Sequence, residues 1–276
     1  MTTALLTRSE AQPAAATPDL TSYDVIVINT SAGKDSQAMT DVVVAEADWQ
    51  RVPRERLAMF HADLGRVEWQ GTAELAQEHA QHYGLRFVKI ARPQGDLLDQ
   101  IEQRGMFPDA ARRYCTSDHK RGQGRKAVTM LVGELRLDRP ARVLNCMGFR
   151  REESPARAKK AAFRRDESAS NGRRHVDEWL PILEWTAEQV WARIRQAGTR
   201  YHWAYDAGMP RLSCSFCVLA SKSALVRAAQ LRPELAAEYA ALEERIGHRF
   251  RNDLTMAQVI TEAVDGAPGE IEGWAA

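Results

Sequence analysis

No stretch of this 276-residue chain is apolar for long enough to cross a bilayer as a helix, which sets aside membrane-spanning functions. Excess charge is missing as well. Thirty-eight Lys and Arg stand against 37 Asp and Glu, a net charge of +1, so any binding of a polyanion has to come from a local patch. Cysteine is scarce: Cys115, Cys146, Cys214 and Cys217 are all there are, which does not suit a disulfide framework, and none follows Cys217. No internal repeat stands out. The start, residues 1–18, is rich in Ala, Thr and Pro and lacks both the basic opening and the apolar core of a secretory signal. It predicts a disordered leader over residues 1–20 and a cytoplasmic protein. The remainder is of ordinary globular composition, 44% hydrophobic and 27% charged, enough for one large domain or a domain with an appendage.

Strand-like and helix-like patterns alternate. Residues 23–29, 57–61, 86–91 and 142–146 are short apolar runs rich in β-branched residues, and 179–183 is a fifth candidate that Pro181 confines to an edge or an end. Helical spacing occupies residues 35–47, 68–83, 96–103 and 126–135, and Thr186 with Gln189 forms a capping box ahead of a helix closed by Gly198. Alternation of this kind predicts an α/β fold, a Rossmann-like and mostly parallel sheet with helices on both faces, over residues 21–200. Residues 222–230, 233–246 and 255–263 read as helices with no strands between them, a helical C-terminal part over residues 201–276 that carries a Cys-x-x-Cys.

Between the first strand and the first helix lies Ser31-Ala32-Gly33-Lys34-Asp35-Ser36. Small residues at a strand-to-helix turn leave backbone N–H groups free at the positive end of the helix dipole, which makes an anion site suited to phosphate. A Walker loop is ruled out twice: Ile28 stands where its first glycine belongs, and Asp35 follows the lysine. The segment resembles instead the PP-loop of the ATP pyrophosphatases, Ser-Gly-Gly-Lys-Asp-Ser, with Ala32 in place of the first glycine. That resemblance implies ATP and Mg²⁺ as ligands and cleavage between the α- and β-phosphates.

Further segments resemble the PAPS-reductase-like (adenine nucleotide alpha hydrolase, HUP-type) branch of that family. His61-Ala62-Asp63-Leu64-Gly65, with Trp69 and Thr72 downstream, matches a His-x-Asp-x-Gly segment, which implies that His61 and Asp63 border the adenosine pocket. Cys115-Thr116 with Lys120 matches Cys-Thr-x-x-x-Lys and implies Lys120 near the phosphates. Gly148-Phe149-Arg150 through Glu153-Ser154 matches Gly-x-Arg-x-x-Glu-Ser. A fixed planar fork suits phosphate oxygens, so Arg150 joins Lys34, Asp35 and Ser36 as the residues expected to carry catalysis. Trp179-Leu180-Pro181-Ile182, Trp185-Thr186, Trp191, Tyr205 and Gly208 continue the likeness, which covers most of residues 22–220.

Cys214-Ser215-Phe216-Cys217 sets two thiols at a spacing that grips one metal or cluster, and Cys115 and Cys146 can complete the ligands. Spacing leaves zinc and iron–sulfur open, with a redox dithiol as a third possibility; the family resemblance favours a [4Fe–4S] cluster. Residues 150–174 carry nine Lys and Arg against four acids. They read either as a solvated helix and loop or as a mobile basic flap for nucleotide or nucleic-acid phosphates.

The expectation is an ATP pyrophosphatase that adenylates an oxygen of its target for sulfur insertion. The combination looks most like the DndC/SspD-type component of DNA phosphorothioation systems. That likeness implies DNA rather than tRNA as partner, a sulfur donor such as a cysteine desulfurase, and other sulfur-modification proteins. A sulfonucleotide reductase is the first alternative, disfavoured because such enzymes carry a nucleophilic cysteine on a C-terminal tail. A tRNA thiolation enzyme is the second, and a non-enzymatic zinc-containing nucleic-acid-binding module the alternative from another class.

Overall fold

The computed structural model describes residues 17–266; the expected leader falls almost wholly outside them. Six strands, β1 (Val25–Thr30), β2 (Leu57–Asp63), β3 (Arg86–Ala91), β4 (Ala141–Cys146), β5 (Phe163–Arg165) and β6 (Arg174–Trp179), form one sheet in the order β3-β2-β1-β4-β6-β5. All neighbours run parallel except β5, which pairs antiparallel with β6. The chain therefore steps outward from β1 in one direction and then, from β4, in the other. The carboxyl ends of β1 and β4 flank the crevice that such a reversal opens.

Helices α1 (Lys34–Trp49), α2 (Thr72–His82), α3 (Leu97–Arg104), α4 (Tyr114–Thr116), α5 (Gly122–Leu135), α6 (Pro155–Ala158), α7 (Ala187–Ala197), α8 (Lys222–Leu231), α9 (Pro233–Ile246) and α10 (Met256–Asp265) follow the connections. Both faces of the sheet are covered. Ile26, Ile28 and Leu144 pack with Met39 and Val43 of α1 and Val190 and Ile194 of α7. Val25, Val27 and Val143 pack with Ala127 and Leu131 of α5. A third cluster unites the C-terminal helices with the segment after β2: Leu225, Tyr239, Leu242 and Val259 share a core with Leu64, Trp69, Leu97, Ile101 and Phe107. Among the described residues no helix is long and apolar enough to cross a membrane.

Two departures from the sequence reading concern the sheet. The fifth strand lies at Arg174–Trp179, ending where 179–183 was expected to begin, and β5 has no counterpart in that reading. The sequence Arg-His-Val-Asp-Glu-Trp shows no apolar run because two of its buried positions are acids satisfied from elsewhere. Asp177 accepts from the Tyr23 hydroxyl (2.9 Å) and from Arg165 (2.6 Å), and Glu178 accepts from Arg164 (2.8 Å). A buried carboxylate is tolerated only with such partners. The third departure is the helix predicted from residue 126. It begins earlier, and residues 114–135 run helically through a π turn at Ser117–Arg121.

Candidate functional site

The loop of residues 31–36 closes on itself. The Thr30 hydroxyl accepts the Ala32 N–H (3.1 Å), and Ser36 Oγ accepts the Ser31 N–H (3.2 Å) while donating to the Gly33 carbonyl (2.8 Å). Ala32, the one departure from the family pattern, is fully buried at φ 54°, in the left-handed region where glycine is at ease. Lys34 opens α1. Its amine contacts Asp35 at 3.1 Å and lies 5.9 Å above the Tyr205 ring, and its backbone N–H donates to the Tyr205 hydroxyl (2.9 Å).

From the end of β4 the chain crosses over the start of α1. A Cβ on Gly148 would stand 2.7 Å from the Asp35 carbonyl oxygen, so this crossing requires glycine. It delivers Arg150, 4% exposed, whose Nε meets Asp35 Oδ1 at 2.5 Å and whose fork also contacts Glu152. The fold thus brings Lys34, Asp35, Ser36, Gly148 and Arg150 together at the start of α1.

His61 also reaches the loop. Its imidazole, buried, contacts the Thr30 carbonyl (3.1 Å) and Glu68 (3.2 Å). Burial opposes its protonation, yet the hydrogen bond and charge of Glu68 outweigh this and its pKa is raised. Asp63 acts on this group only through the charge it adds at His61. It caps the Gly65 N–H (2.9 Å) and pairs with Lys89 (3.4 Å) at the outer side of the sheet.

Three of the four cysteines lie near one another. Cys115, Cys214 and Cys217 pack against the third core; the Cys115 thiol feels Cys217 and the Lys120 amine, and the Cys214 thiol feels Cys217, Cys115 and the same amine. Burial raises Cys115 and pushes Cys214 up to about 12, both against the pull of Lys120. Lys120 stands on the π turn, whose widened helix presents it there. The Cys-x-x-Cys turn is stitched to the segment after β2. Ser215 N–H donates to the Val67 carbonyl (2.9 Å), and Arg232 donates to Ser215 Oγ (2.8 Å), the Arg66 carbonyl (3.1 Å) and the Glu68 carbonyl. The sequence reading missed both Glu68 and Arg232; no motif marks them.

Cys146 is not brought to this group, which corrects its expected role as a ligand. It is fully buried among Ile28, Leu144 and Trp179 on the α1 and α7 side of the sheet, and burial alone raises its pKa. All four cysteines are free thiols. Among the described residues no three His, Cys, Asp or Glu side chains close around a single metal ion. The remaining donor set is three neighbouring thiols. Its softness suits iron–sulfur ligation, and such thiols bind separate irons rather than crowding one tetrahedral ion.

The basic segment is not a free flap. Arg151 pairs with Glu184, Arg157 with Glu153, Arg164 with Glu178 and Arg165 with Asp177, while Arg174 is buried and donates to Thr129 and Ala169. Counting acids within the segment missed those that the fold supplies from β6 and beyond. Lys159 and Arg173 remain exposed.

Residues 25–220 match the family described as Phosphoadenosine phosphosulfate reductase domain. The chain is 30% identical over 207 residues to an uncharacterized 37.8 kDa protein of Escherichia phage 186, covering 74% of this chain and 59% of the phage protein. It therefore spans less than two thirds of that relative's length. It is 28% identical over 201 residues to the adenosine 5'-phosphosulfate reductase of Allochromatium vinosum, covering 71% of this chain and 69% of that one. The phosphoadenylyl-sulfate reductase of Candida auris, solved with phosphate, superposes with a TM-score of 0.48 at 16% identity, over 71% of this chain and 83% of the other.

Proposed function

The chain belongs to the family described as Phosphoadenosine phosphosulfate reductase domain, and on that footing we propose that it is a PP-loop ATP pyrophosphatase that activates an oxygen of a nucleic-acid acceptor for replacement by sulfur. The observation that carries this reading is the adjacency of the phosphate loop and the thiol loop. A Cβ on Gly33 would lie 3.3 Å from Leu212 Cβ, two residues before Cys214. Activation by ATP and delivery of sulfur then share one crevice.

In this reading ATP would lie with its phosphates on the loop, where Mg²⁺ would offset their charge. The acceptor oxygen attacks the α-phosphorus, and pyrophosphate leaves. The amides of Asp35 and Ser36 in the first turn of α1 and the Lys34 amine would stabilise the charge that develops on the leaving group. Asp35, between Lys34 and Arg150, holds both cations in register, and Arg150 offers its fork to phosphate oxygens. A [4Fe–4S] cluster held by Cys115, Cys214 and Cys217 would supply a soft metal site for sulfide. Lys120 lowers the cost of ionising the thiols that hold it. The acceptor oxygen, once adenylated, leaves as AMP when sulfur displaces it.

Support for a nucleic-acid acceptor, a DNA backbone phosphate first among them, comes from the strap after α7. Tyr201 and Trp203 are exposed there, 38% and 39%, as stacking surfaces for bases. A cysteine desulfurase would serve as sulfur donor. The reductase remains the second reading, favoured by the resemblance to the Allochromatium enzyme. Anaerobically purified protein should release pyrophosphate from ATP, faster with DNA, and contain iron; Lys34→Ala should abolish release and retain iron. Sulfite from adenylyl sulfate with a thiol reductant, and no pyrophosphate from ATP, would establish the reductase instead.

A further inference from the structure

We propose that the Tyr205 hydroxyl is a phosphate-contacting donor of the nucleotide loop, supplied from the strap that leads to the Cys-x-x-Cys turn. This rests on the reading of residues 31–36 as a phosphate site. The ring of Tyr205 is fixed edge-on by Trp191, with centroids 5.0 Å apart, and the Lys34 amine lies 5.9 Å from its face. The hydroxyl accepts the backbone N–H of Lys34 at 2.9 Å. A phenol oxygen that accepts still owns one proton. That bond uses the oxygen as acceptor and leaves the proton to turn elsewhere. Burial raises the pKa of this phenol, so the proton stays in place at neutral pH.

The hydroxyl sits on the first amide of α1, one of the donors to which a phosphate on this loop would turn. Its unspent proton adds a donor where the acceptor charge would lie. A Cβ on Gly33 would meet both this hydroxyl, at 3.4 Å, and Leu212, two residues before Cys214, at 3.3 Å, so the contact lies where the phosphate loop meets the start of the thiol loop.

The experiment is binding of inorganic pyrophosphate with Mg²⁺ by calorimetry, alongside adenosine, to the full chain and to Tyr205→Phe. Loss of one hydrogen bond to a charged oxygen should weaken pyrophosphate about tenfold. Adenosine affinity should hold, and the melting midpoint without ligand should fall only by the few degrees that loss of the Lys34 N–H bond explains. Equal losses for both ligands would make Tyr205 a merely structural residue, and undiminished pyrophosphate binding would overturn the proposal. Wild-type protein that binds no pyrophosphate would instead overturn the phosphate-site reading itself. A second measurement does not depend on the variant folding. In wild-type protein labelled with fluorotyrosine, pyrophosphate should shift one of the six tyrosine resonances by ¹⁹F NMR. A spectrum in which none moves overturns the contact.

Discussion

Ala32 stands in a backbone conformation that costs an L-residue roughly 1–2 kcal/mol. Replacing it by glycine relieves that strain but removes a buried methyl worth about 0.8 kcal/mol and adds unfolded-state entropy of about 0.5–1 kcal/mol. The terms nearly cancel. Ala32→Gly should therefore change stability by less than about 1 kcal/mol, whereas Ala32→Val, with a branched Cβ in the left-handed region, should cost about 3 kcal/mol or more; urea unfolding would separate the two. His202 gives a pH dependence of definite sign. It is buried against Thr72 (3.2 Å), and burial lowers its pKa to about 4. Its contribution to stability is complete above the unfolded value near 6.5, declines as pH falls through the interval, and is exhausted below about 4. Stability measured between these limits should fall by on the order of 3 kcal/mol through this residue, and His202→Gln should flatten the slope. The loop residues were legible because their chemistry is local: Lys34, Asp35 and Ser36 follow a strand and open a helix. Glu68, Arg232 and the donor role of Tyr205 were not, because each acts through a partner far away in the chain.

Among elements, those with apolar periodicity and caps were readable. The box of Thr186 and Gln189 and the stop at Gly198 mark both ends of α7 as the side-chain bonds in the structure place them. Strand β6 was not readable, since its buried acids are neutralised by arginines of β5 that pattern alone does not bring near. The crossing at Gly148 shows how one element constrains another. Gly148→Ala drives a methyl into the carbonyl of Asp35, a backbone atom that cannot step aside. The variant should lose roughly 2 kcal/mol of stability and about tenfold or more in pyrophosphate release, since the strap carrying Arg150 must lift from α1; melting and turnover measured together test both.

At the scale of the whole molecule, the helices after residue 220 share a core with Leu64, Trp69, Leu97, Ile101 and Phe107, among others. A chain ending at residue 200 would expose those side chains at roughly 1.5–3 kcal/mol each. It should be insoluble or open to protease within residues 64–107, and limited proteolysis with mass spectrometry would show where. Composition told of a globular chain and alternation told of a parallel sheet, but the sharing of that core across 150 residues was beyond any local pattern. The two borders of the sheet have a consequence of another kind. The exposed side chains of β3 include Arg86 and Lys89, and β5 is three residues long, with Arg164 and Arg165 exposed while paired to Glu178 and Asp177 of β6. A strand from a neighbouring molecule would have to align beside long charged side chains on β3, and would find only three residues to pair with on β5. Both borders are therefore poor templates for extending the sheet from one molecule to the next.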